Sequence, residues 1–342
     1  MHTAERISLA RLPSGVDVET TVHVYEGNES GPTLYVQAAQ HGREVNGTEV
    51  LRRLHGRIDH EALAGRLVAV PVADPLTFDR VSYTTPEVLD SVNANMNRCW
   101  PGDPEGTLHE RMAARLWEFA SDADALVDLH TGSPTMLTHT VFQEGDPGSA
   151  ALAEAFGTEL LLAEAAGDEA DVEWSERGFD GKLRVTATRD GVPAITPELA
   201  HSKQLVEQAI ETGVRGVFNV LRHLDMLQGA PDPHPEQRLG RNHLGRVVAE
   251  DSGLYRPSAN AELGETVEEG DFLGRVYDPT SYEELQEVEA VRDGLVYSVA
   301  REATVTAGQT LVGVAMPYHD ETWADEDAEA DADEPVGDDG GA

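Results

Sequence analysis

Lysine is almost absent from this chain. Lys182 and Lys203 are the only two among 342 residues, so the other 23 cations are arginines, set against 63 Asp and Glu for a net charge of −38. Such a surface repels nucleic acid and anionic membrane, which excludes both as partners. At low salt it strains a compact chain; at molar salt the screening length falls to about 3 Å and the strain is relieved. The composition therefore points to a halophilic protein from a salt-rich cytoplasm. Its melting temperature should climb with added potassium chloride, and a flat or falling trend would overturn that reading. Cysteine is nearly absent too. Cys99 stands alone, which excludes an intrachain disulfide and fits a reducing compartment. No apolar run approaches the roughly 20 residues of a membrane span. The opening Met1-His-Thr-Ala-Glu5 has neither the basic nor the apolar part of a secretory signal. A cytoplasmic protein is expected.

Short apolar runs alternating with helical periodicity are what the chain does have. Thr33–Ala39, Arg66–Val72, Ala125–Leu129, Met136–Phe142 and Val192–Glu198 read as strands. Glu44–Leu54, Leu108–Phe119, Ala150–Phe156 and Lys203–Leu227 read as helices. This pattern predicts an α/β domain over 1–230, with a mixed or largely parallel sheet flanked by helices. Pro231-Asp-Pro-His-Pro235 reads as a stiff linker. Beyond it come short strands and glycine turns, and two stretches look alike. Val267-x-x-Gly270-x-x-Leu273 recurs as Val305-x-x-Gly308-x-x-Leu311, each preceded by a Gly-Leu pair, at 253 and 294. The duplication predicts a small β barrel or sandwich over 236–318, similar to the biotinyl/lipoyl carrier fold. No lysine follows Lys203, so it carries no lipoyl or biotinyl arm. The remainder, 319–342, is an acidic tail expected to be disordered.

The chemistry gathers at strand ends, where ligands sit in open α/β sheets. His41 and Glu44 fall in the turn after the first of these strands, three residues apart and free to converge. An imidazole and a carboxylate are two-thirds of a common catalytic zinc set, and His130, closing Asp128-Leu129-His130, supplies the third ligand. Such a set leaves one position open for water. Glu198, at the end of its own strand, is placed to shuttle protons as the catalytic acid/base. On a loop, Arg98 can grip a substrate carboxylate through two parallel hydrogen bonds, and Asn97 can add a neutral one.

In order and spacing, Gln40-His41-Gly42-Arg43-Glu44, Asn97-Arg98-x-Trp100-Pro101-Gly102, Asp128-Leu129-His130-Thr131-Gly132 and Thr196-Pro197-Glu198 resemble the succinylglutamate desuccinylase/aspartoacylase family of zinc carboxypeptidase-like deacylases. The likeness runs from about Gly31 to Leu227 and extends to the C-terminal β domain. It implies one zinc per subunit on His41, Glu44 and His130, Glu198 as acid/base, and Asn97 and Arg98 as substrate-binding residues. Asp128, two residues before the ligand, would then fit a supporting role behind the metal ligands, with its geometry along the strand left open. It implies a zinc-dependent amidohydrolase acting on a small acylated amino acid, with homo-oligomer formation left open. There is one departure. The family commonly places another arginine before the Thr-Pro step, where this chain has Val81-Ser-Tyr83-Thr-Thr-Pro86, with Arg80 close by. Arg43 is the next candidate to stabilise an oxyanion or bind substrate, followed by Arg184 or Arg189. The rival readings are a metallocarboxypeptidase acting on peptides and a zinc-containing binding protein without catalysis.

Overall fold

Alternation of apolar strands and amphipathic helices sets the order of elements in this computed structural model. It describes residues 1–342 except 87, 133–134, 167–173, 176, 242–244, 319–322 and 324–342. Trp323 apart, the acidic tail expected over 319–342 lies outside the described residues. The first two-thirds run β1 His2–Arg11, β2 Asp17–Glu26, β3 Glu29–Ala38, α1 Asn46–Arg57, β4 Ala64–Val70, α2 Pro75–Phe78, α3 Leu108–Ala120, β5 Ala125–Gly132, β6 Thr135–Met136, β7 His139–Gln143, α4 Pro147–Phe156, β8 Leu160–Glu164, α5 Leu183–Arg189, β9 Ala194–His201 and α6 Glu207–His223. Their strands order as β1-β2-β4-β3-β5-β9-β7-β8. The middle four, β4-β3-β5-β9, are parallel, while β1, β2 and β7 run against their neighbours toward the centre.

Alternate residues of each strand serve two cores. Leu34, Val36, Val127 and Ile195 face α1, α4 and α6, packing on Val50, Leu54, Phe156, Val214 and Val217. Tyr35, Leu126 and Ala194 face the other way, onto Met112, Leu116 and Leu183 of α3 and α5. Helix starts follow their caps. Thr107 and Glu110 form a capping box on α3, and Asp146 caps α4 with Pro147 in its first turn. That cap explains why α4 opens three residues before the expected Ala150. The long C-terminal helix of this part starts at Glu207, not Lys203, because Lys203 is held in a left-handed turn (φ 65°). The expected strand Met136–Phe142 is split in two, since β6 leaves the ladder of β7 to pair with a later strand.

After the proline-rich segment come β10 Arg238–Arg241, β11 Arg246–Val248, β12 Gly253–Pro257, β13 Thr266–Val267, β14 Phe272–Tyr277, β15 Glu284–Glu289, β16 Gly294–Val299, β17 Thr304–Val305 and β18 Thr310–Pro317. The sequence duplication is structural. Val267 of β13 pairs with Gly294 of β16, and Val305 of β17 with Gly253 of β12, so each copy lends its short strand to the other. Gly270 and Gly308 make the matching left-handed turns (φ 92° and 82°). β15-β14-β12-β17 form a separate four-stranded sheet. β10 and β18 instead continue the main sheet beyond β8, and β16 follows them. This continuity brings C-terminal residues to the site described next.

Candidate metal centre and active site

Each candidate side chain is aimed by the strand or turn that carries it. His130 on β5 stands in register with Glu198 on β9. In parallel neighbours such a pair shares a face, here the face of Leu126 and Ala194. The turn after β3 delivers His41 and Glu44, and α1 begins two residues later than the apolar pattern suggests, leaving Glu44 in the turn. Ala39, entering that turn, is left-handed (φ 49°), a strained conformation for a residue with a side chain. Gly42 is required by space, because a Cβ there would lie 2.0 Å from the Thr77 carbonyl.

His41, Glu44 and His130 meet in three dimensions. Their ligand atoms all lie within 4.8 Å of one another, and all three residues are buried. Nδ1 of His41 is 2.9 Å from one Glu44 oxygen and Nδ1 of His130 is 2.9 Å from the other. The far nitrogens are held from behind. Nε2 of His130 lies 2.9 Å from Asp128 Oδ2, and Nε2 of His41 lies 3.1 Å from Asn95 Oδ1. With those two nitrogens carrying the ring protons, both Nδ1 lone pairs face the centre. The donor set of two imidazoles and one carboxylate, with acceptors fixing each ring, suits zinc. Asp128 is itself fixed by Gln37 and Gln40, each 3.0 Å away, and Gln40 accepts from the Trp100 indole N–H. Burial opposes ionisation of Glu44, but the two imidazoles outweigh it and hold its carboxyl far below the usual range. Burial likewise opposes a proton on His130, yet Asp128 and Glu44 raise its pKa. Metal binding therefore competes with a proton.

A cavity of about 250 Å³ opens over this centre. Glu198 lines it, and burial first, then the neighbouring Glu44 and Asp128 carboxylates, push its pKa up to about 7. Asn97 and Arg98 line it as well. The Asn97 carbonyl accepts from the Leu183 N–H (3.0 Å), while Arg98 lies over the Phe179 ring, 4.7 Å from its centroid, and donates to the Arg177 carbonyl. Arg43 is placed differently. Its guanidinium packs on the Tyr83 ring at 4.8 Å and is not among the described residues lining the cavity. Tyr83 does line it, its ring centroid 4.0 Å from that of His41. Arg184 also reaches the cavity, whereas Arg189 is exposed and pairs with Asp180, and Arg80 is exposed.

Several residues here escaped the sequence reading. Glu164, ending β8, is ion-paired with Lys182 (3.0 Å) and Arg184. Against the cost of burial, those two cations hold its carboxyl down to about 2. Burial lowers Lys182 to about 8. Both had a signal: Glu164 closes an apolar run as His130 and Glu198 do, and Lys182 is one of two lysines. His139, whose pKa burial lowers to about 4, lies in register with Glu198 on its other side and meets Tyr297 edge-on. Arg246, Tyr297, Ser298 and Thr310 complete the wall from the C-terminal strands. No local pattern marks those four.

The Succinylglutamate desuccinylase/Aspartoacylase catalytic domain, as a family model, matches residues 30–224. The chain belongs to this family. It is 30% identical over 298 residues to the N-alpha-acetyl-L-2,4-diaminobutyric acid deacetylase of Halomonas elongata, covering 83% of this chain and 82% of that one. Among solved structures, a succinylglutamatedesuccinylase/aspartoacylase from Rhodobacter sphaeroides matches at 26% identity and a TM-score of 0.79, covering 93% and 95% of the two chains. The product-bound Ectoine utilization protein EutE (DoeB) from Ruegeria pomeroyi matches at 25% and 0.79, covering 92% and 94%. The likeness to these solved structures covers the C-terminal strands as well as the part that the family model matches.

Proposed function

We propose that this family member is a zinc-dependent deacylase that hydrolyses the amide bond of a small N-acyl amino acid. The observation that carries this is a His41-Glu44-His130 set with an open side facing a cavity shared with Glu198. A purely structural zinc site closes its fourth position with another protein ligand and has no use for a buried proton acceptor beside it. Zinc held there would polarise the acyl carbonyl and make water nucleophilic near neutral pH. Glu198 takes the proton from the attacking water and returns it to the departing amine nitrogen, and burial, which raises its carboxyl above the usual range, suits it to both tasks.

Charge in the cavity favours an anionic substrate. Arg98, Arg177, Lys182, Arg184 and Arg246 line it against three carboxylates, in a chain with a large excess of acid. Arg184 is 1% exposed, and one of its terminal nitrogens has no hydrogen-bond partner among the described residues. A buried donor of that kind suits a substrate carboxylate, with Arg98 and Asn97 binding beside the scissile group. Arg43 contributes by fixing Tyr83 against His41. The cavity's small size and its wall of C-terminal strands favour small molecules over peptides. A panel of N-acyl amino acids and short peptides, read by amine release at molar salt with zinc present, tests the proposal. Release from N-acetylated or N-succinylated amino acids, with peptides left intact, is expected. Cleavage of peptides alone would overturn it.

A further inference from the structure

At the opposite end of α1 from the cavity, three more imidazoles come together. His2 on β1, His23 on β2 and His55 near the end of α1 place ring nitrogens within 4.8 Å of one another. The β1–β2 register makes this specific: His2 pairs with Tyr25 and Ala4 with His23, so His2, His23 and Tyr25 share the face turned toward α1. His55 lies nine helical steps beyond Asn46, about 14 Å at 1.5 Å each, so this cluster is distinct from the His41-Glu44-His130 centre. We propose that His2, His23 and His55 form a second metal site, binding one divalent transition ion such as Zn2+ through three imidazoles, with a fourth position open to solvent.

The ligand chemistry is complete. His55 Nδ1 lies 2.8 Å from the Tyr25 hydroxyl. With its N–H donated to that oxygen, Nε2 is left free as a ligand and the ring is oriented from behind. His2 Nε2 and His23 Nδ1 are 3.1 Å apart, close to the edge of about 3.3 Å that zinc–nitrogen bonds of 2.0–2.1 Å give a tetrahedron. The two rings are nearly coplanar, 8° apart with centroids at 5.4 Å, so these nitrogens meet head-on and share one proton. A metal takes the place of that proton, which moves to the other nitrogen of its own ring, while each ring turns by roughly 35° toward the ion. Burial and mutual repulsion lower the pKa values of His2 and His23, which keeps both rings neutral, as ligation requires. The C-terminal end of a helix also favours a cation.

Metal content after dialysis of the full-length protein against buffered micromolar Zn2+ tests this. Two zinc ions per wild-type chain are expected, one in the His23→Asn/His55→Asn double variant with deacylase activity unchanged, and one in His130→Asn, which keeps the remote site. A single zinc in the wild type, or two in the double variant, would overturn the proposal. If the double variant does not fold, titration of wild-type protein with Co2+ decides. The second equivalent should broaden and shift the imidazole resonances of His2, His23 and His55, and unchanged resonances would refute the site.

Discussion

Glu198→Gln is expected to lose turnover by on the order of 10²–10⁴-fold, the usual contribution of a positioned proton-transfer group, while one zinc stays bound at the His41-Glu44-His130 centre. The amide keeps the size and hydrogen-bonding capacity of the side chain but cannot accept the water's proton. KM should change little, since Glu198 sits between His130 and His139 on the sheet and not among the arginines. The pH profile gives a second readout. In the wild type the rate falls on acidification as Glu198 takes up a proton, in a range that begins near 7 in the metal-free protein and that a neighbouring dication shifts downward. The variant should have a low rate without that acidic limb. Wild-type turnover in Glu198→Gln would remove this residue from the mechanism.

His130→Ala should lose both the metal at this centre and all deacylase activity. The side chain supplies one of three ligands, and its removal also strands Asp128, which is 1% exposed and was paired with it. Losing a buried partner of that sort costs several kcal/mol, so a lower melting temperature should accompany the loss of metal. Asp128→Asn provides the graded counterpart. It leaves the ligand but weakens its orientation and basicity, and should cost 10–100-fold in zinc affinity with the fold intact. Zinc affinity and melting curves of the two variants separate these roles. Full zinc occupancy in His130→Ala would refute the ligand set.

His41, just past β3, and His130 and Glu198, toward the C-terminal ends of β5 and β9, were legible because each follows a short, mainly apolar run and is a chemically capable residue. Strand alternation then determines what a linear reading left open: Asp128 and His130, two apart on β5, face the same way. Glu164 ends a run of the same kind, but Leu160–Ala163 is too short to distinguish from the end of the preceding helix. The antiparallel pair β1–β2 escaped the reading although β2 alternates as a half-buried strand does, with Val18, Thr20 and Val22 buried and Asp17, Glu19 and Thr21 not. Arg43 shows the limit of motif reading. Lying inside the first motif, it was a candidate for the cavity, yet its side chain turns to Tyr83. The duplication beyond Pro235 predicted two similar halves, while their exchange of short strands depends on the pairings Val267–Gly294 and Gly253–Val305, 27 and 52 residues apart, that no local pattern encodes.

Tyr297 belongs at once to the cavity wall and to the apolar cluster of Leu160, Leu162 and Ala315 that seals the junction of β8 with the C-terminal strands. A substitution of Tyr297 therefore changes the cavity wall and the packing of the seam joining the two parts of the sheet together. The loop residues Asn97 and Arg98 on the other side of the cavity carry no such double duty, so the two halves of the wall differ in what a single substitution disturbs.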